Sequence, residues 1–125
     1  MVYLLNAFSL SMIATLLRGV NNALRLEIHE LDLPRVRKAL AGGFVSAVGH
    51  ADTAKVIGAL LGTEVPCNRA SVALAQGDLC IVAQYFGSRL PEGATALPEG
   101  AEIRWYMVGE APPPRPPGGP PRERR

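Results

Sequence analysis

The chain has 125 residues, 48% apolar and 19% charged. That is the balance of one globular domain with a core of its own, and it excludes a two-domain enzyme, a long coiled coil and a collagen-like chain. The formal net charge of +2 comes entirely from the last 17 residues, because the preceding 108 carry nine basic and nine acidic side chains. A neutral body rules out the broad basic face of a general DNA or RNA coat, but not a small anionic ligand held by one or two arginines.

Residues 2–5 (VYLL) are an apolar run of strand formers ending at Asn6, a turn and cap residue, and they predict a buried first strand. Residues 7–22 have no single period. Ser9 and Ser11 interrupt them, residues 12–17 fit either a helical turn or a strand, and Gly19, Asn21 and Asn22 supply turn chemistry. Leu24, Leu26 and Ile28 alternate with Arg25, Glu27 and His29, the pattern of a half-buried strand.

Asp32 is a good N-cap and Pro34 sits in the first turn of a short helix over 33–41, stopped by Gly42 and Gly43. Residues 44–48 read as an apolar link leading to Gly49 and His50. A second helix is expected over 51–61, where Ala54, Ile57 and Leu61 recur at helical spacing and Gly62 is a C-cap.

Residues 71–75 and 79–86 read as a hairpin around Gln76, Gly77 and Asp78, its second strand covered on both faces. Glycines and prolines punctuate 87–101 as loop, and 103–108 is the last strand. From Gly109 on, seven of seventeen residues are proline, so 109–125 is expected to be a disordered Pro/Arg-rich tail outside a 1–108 domain. No internal repeat is expected.

The element order predicts an α/β fold: a single compact domain, a mixed sheet of about five strands and two or three helices. A sheet this small is expected to leave one face for a second subunit. Cys67 and Cys80 form no CxxC pair, and both are expected to be free, buried thiols in a reducing cytoplasm. The apolar stretch 10–17 lacks a basic lead and is too short to span a bilayer, so neither a signal peptide nor a membrane association is expected.

Of two histidines, His29 lies on the polar side of its strand and reads as exposed. His50 stands where a link enters a helix, just before Asp52 and Thr53. The free N–H groups and positive dipole end of such a helix suit a phosphate, and a histidine there could protonate a leaving oxygen, or could simply cap the helix. No HExxH, paired Cys/His spacing or GxSxG elbow is present, so metal and serine-hydrolase chemistry have no support. Arg89 and Glu92, close together in RLPEG, read either as a surface ion contact or as a phosphate clamp beside a proton-handling carboxylate.

Five segments in this order, VYLLNAFSLSM (2–12), SAVGHADT (46–53), NR (68–69), GD (77–78) and RLPEG (89–93), resemble the ring nucleases that degrade cyclic tetra-adenylate. These are viral anti-CRISPR proteins and cellular relatives that switch off type III CRISPR signalling. The resemblance implies a cytoplasmic homodimer binding cyclic tetra-adenylate across its axis and cleaving it without metal or cofactor. It assigns catalysis to His50, Arg89 and Glu92, and ligand contacts to Asn6, Ser9, Ser11, Asp52, Thr53 and Arg69. Two other readings compete: a protein that binds the cyclic nucleotide without cutting it, and an interaction protein acting through its proline-rich tail.

Overall fold

Two helices cover one face of a five-stranded sheet, and a short helical segment covers part of the other. The computed structural model describes residues 1–111. The tail beyond them, 112–125, expected to be disordered, lies outside the described residues. The strands are β1 (Val2–Leu5), β2 (Leu26–Leu31), β3 (Val45–Ala47), β4 (Leu79–Phe86) and β5 (Glu102–Glu110). Their order across the sheet is β2-β5-β4-β1-β3. β1 runs parallel to both β3 and β4, and β5 runs antiparallel to β4 and β2, so the sheet is mixed.

The helices are α1 (Ala14–Arg18), preceded by a 3-10 turn at Leu10–Ile13, then α2 (Leu33–Leu40) and α3 (Ala51–Leu61). α2 starts as its sequence dictates: the Asp32 carboxylate accepts a bond from the Arg35 N–H at 3.1 Å, with Pro34 in the first turn. α3 ends at Gly62, whose φ of +73° is the left-handed C-cap conformation.

The sheet separates two apolar clusters. On one side Leu4, Ile81, Ala83 and Trp105 pack against Val36 and Leu40 of α2 and Ala54, Ile57 and Leu61 of α3. On the other Leu5, Cys80, Val82 and Val108 meet Ile13 and Leu74. Successive residues of β4 therefore alternate between two buried faces, which is why its first five residues, 79–83, are an unbroken apolar run. Burying each Val, Leu or Ile side chain among these contributes roughly 1.5–3 kcal/mol.

Several local expectations change. Residues 71–75 form no strand. β4 already has β1 on one edge and β5 on the other, so no edge is left for a hairpin partner. Instead Leu74 is buried over the second cluster, its N–H bonded to the Met12 carbonyl at 2.7 Å. The apolar link at 44–48 contains an edge strand, β3. β2 starts and ends later than its alternation predicts, and Ile28 stays 63% exposed. β5 runs on to Glu110, and the Ala111 N–H reaches the Arg25 carbonyl at 2.8 Å. Cys67 is exposed, whereas Cys80 is buried as expected.

Contrary to expectation, the chain holds one short repeat. Pro-Glu-Gly-Ala occurs at 91–94 and again at 98–101. Both copies fold alike: the alanine N–H bonds to the proline carbonyl at 3.1 Å, and the glycines have φ of +79° and +81°. A type II turn asks for that φ at its third residue, where glycine has no steric cost.

Candidate functional site

At the carboxyl ends of the neighbouring parallel strands β1 and β3, the chain leaves in opposite directions. After β1 it passes to the second face, where Phe8, Met12 and Ile13 pack. After β3 it enters α3 on the first face, where Ala54 and Ile57 pack. Such a divergence opens a crevice beyond the strand ends, the usual ligand position in sheets of this kind.

His50 stands at the entry to α3, with extended φ and ψ of −124° and 129°. Its carbonyl accepts the first helical bond from the Ala54 N–H at 2.9 Å, while its imidazole makes no capping bond. The ring is thus not used as a cap. His50 is exposed and lines a cavity of about 650 Å³.

A polar seam holds the chain before His50 in place. The buried Ser46 hydroxyl donates to the Pro66 carbonyl at 2.6 Å, and the Asn68 side-chain amide donates to the Ser46 carbonyl at 2.7 Å. The Asn68 backbone N–H reaches the Val48 carbonyl at 2.8 Å, and Arg69 Nε reaches the Gly49 carbonyl at 2.9 Å. The sequence segments 46–53 and 68–69, apart in the chain, form one unit here. Arg69 fixes the peptide before His50 and is not among the residues lining the cavity.

The opposite wall of the cavity is the loop after β4. Arg89, Leu90, Pro91 and Glu92 line it facing His50, Asp52 and Thr53. Two contacts seat this loop. The Tyr85 hydroxyl donates to the Ser88 carbonyl at 2.5 Å. The Asp52 carboxylate accepts the Gly93 N–H at 2.8 Å. Gly87, at φ +149°, lies so close to Ala101 that an added Cβ would come within 2.8 Å of that side chain.

The structure thus brings His50, Arg89, Glu92, Asp52 and Thr53 to one cavity. Asn6 lines a narrower one of about 110 Å³, which adjoins the first through Thr53 and Leu90. Ser9 and Ser11 lie outside both; their hydroxyls bond to each other at 2.7 Å at the exposed start of the 3-10 turn after β1. Among the described residues no three His, Cys, Asp or Glu side chains come together to hold a metal ion. None of the described helices is long and apolar enough to cross a membrane. Sequence reasoning missed Tyr85, Gly87 and Leu90, whose roles depend on contacts across the loop.

Comparison with known proteins agrees with the fold. Among solved structures, B116 of Sulfolobus turreted icosahedral virus (STIV) is similar, with a TM-score of 0.69 and 27% identity, covering 86% of this chain and 97% of that one. No curated protein matches. The STIV B116-like family model matches residues 2–105, from β1 into β5 and across the whole cavity wall. The chain therefore belongs to the STIV B116-like family.

Proposed function

We propose that the protein is a metal-independent ring nuclease that cleaves cyclic tetra-adenylate and so switches off type III CRISPR signalling. The observation that carries this reading is that His50, Arg89 and Glu92, from two distant segments, line one cavity of about 650 Å³. The family membership and the segment resemblance support it.

The RNA ring brings its own nucleophile. A ribose 2′-hydroxyl attacks the adjacent phosphorus in line, forming the P–O2′ bond while the P–O5′ bond breaks. The enzyme has to orient the hydroxyl, offset the negative charge on phosphorus and protonate the departing oxygen. His50 delivers that proton from an exposed imidazole not used as a cap. Arg89 offers a forked donor suited to the phosphate oxygens. Glu92, at the corner of the 91–94 turn, either takes the 2′-hydroxyl proton or steadies the imidazolium. The product carries a 2′,3′-cyclic phosphate.

A ring of four equal nucleotides has near two-fold symmetry. A homodimer would set two His50 residues at opposite phosphates and release two linear di-adenylates. Asn6 would then contact the ring from the narrower cavity that adjoins the first, whereas Ser9, Ser11 and Arg69, which line neither cavity, would meet only those parts of the ring that extend beyond them. The neutral body is compatible with this, because four phosphates need a local pocket and not a basic surface.

The test is incubation of the protein with cyclic tetra-adenylate in EDTA. Linear di-adenylate from wild type, formed roughly 10²–10⁴-fold more slowly by His50→Ala, is the expected result. Tight binding with the ring recovered intact after long incubation would mean a binding protein instead.

A further inference from the structure

We infer that Asp52 is a positioning residue, which holds the loop bearing Arg89 and Glu92 against the start of α3, and not a contact to the ligand. This rests on the nuclease reading for what is positioned, but the tie itself stands on geometry.

The Asp52 side chain accepts the Gly93 N–H at 2.8 Å across 41 residues of sequence. That N–H belongs to the peptide unit joining Glu92 to Gly93, so the bond fixes the plane from which the Glu92 side chain projects. Gly93 is also the third residue of the 91–94 turn, with φ +79°. The turn and the tie together leave the Glu92 Cα little freedom. Arg89 precedes the turn by two residues and shares the constraint.

The second copy of the turn, 98–101, supplies the comparison. It has the same internal bond and the same glycine conformation, yet Glu99 lines neither site cavity. The Pro-Glu-Gly-Ala sequence therefore makes the turn, and the bond from Asp52 seats one copy of it at the site. An ionised carboxylate is also an acceptor only, so it has nothing to donate to a phosphate oxygen.

Asparagine keeps a side-chain oxygen at the same position and removes the charge; alanine removes both. In the full chain without ligand, the Gly93 amide resonance should be shifted and slow to exchange in wild type and Asp52→Asn. In Asp52→Ala it should lose its protection. With cyclic tetra-adenylate, Asp52→Ala should lower kcat about tenfold or more with KM within about threefold, as small misplacements of reacting groups do. Asp52→Asn should restore kcat to within about threefold, and Glu99→Gln should match wild type.

A Gly93 amide indifferent to Asp52→Ala overturns the tie. An Asp52→Asn variant as impaired as Asp52→Ala, or a raised KM at unchanged kcat, overturns the positioning role in favour of a charge or a ligand contact. A wild type that leaves the ring intact overturns the nuclease reading instead, with the amide still deciding the tie.

Discussion

Arg69 and His50 are coupled through a backbone atom: the Arg69 guanidinium Nε bonds to the Gly49 carbonyl at 2.9 Å, one peptide before the histidine. With Asn68 on the Ser46 and Val48 carbonyls, this makes residues 66–69 a splint along the strand-to-helix link. The position of the imidazole thus depends on residues about twenty positions further along the chain.

His50→Ala should separate activity from stability. The ring is exposed and caps nothing, so unfolding by urea should change by less than about 0.5 kcal/mol. Loss of a general acid should slow ring opening by roughly 10²–10⁴-fold in single-turnover assays.

Asn68→Ala should cost about 1 kcal/mol of stability through the lost bond to the Ser46 carbonyl. Its effect on cleavage should exceed what that stability loss explains, because the link before His50 loosens. Urea titration beside a cleavage assay at saturating ligand checks both.

Gly87→Ala should destabilise the fold by about 1–3 kcal/mol, since the position combines φ +149° with a 2.8 Å approach to the Ala101 side chain. The strain falls between β4 and Arg89, so activity should drop as well. Gly42→Ala is the control: its added Cβ meets nothing within 4 Å.

The two thiols should behave differently. Burial, with a smaller contribution from the Asp78 charge, pushes the Cys80 thiol up to about 11. Iodoacetamide at neutral pH should therefore label the exposed Cys67 and spare Cys80 in the folded protein, as read by peptide mass spectrometry. The same shift has a sign for folding. Above about pH 9 the unfolded chain releases this proton while the folded chain retains it, so stability should fall toward pH 11 by at most about 2–3 kcal/mol. Urea midpoints of wild type and Cys80→Ala across this range give the slope due to that group.

Much of the fold was legible from local pattern. β1, α3 and β4 follow their apolar runs and periods to the residue, and Asp32 and Gly62 cap as their types suggest. The misreadings share a cause. A strand at 71–75 is locally plausible, but β4 already has two neighbours, and only the topology says so. β3 is three residues long and owes its existence to an edge of β1 that nothing else fills. At the site, His50, Arg89 and Glu92 stood out through spacing and resemblance. The seat of the loop on Asp52, and the hold of Arg69 on Gly49, are long-range bonds to backbone atoms, which side-chain chemistry in a sequence does not announce.

The opposite departures of the chain from β1 and β3 have a consequence for how this cleft can change. The loop after β1 is rooted in the layer of Phe8 and Ile13, and α3 in the layer of Ala54 and Ile57, with the sheet between their foundations. An insertion after β1 can therefore reshape the surroundings of the narrower cavity at Asn6 while α3 keeps its footing. The loop after β1 and the helix that His50 opens thus sit on separate anchorages, and mutation can alter the first without disturbing the second.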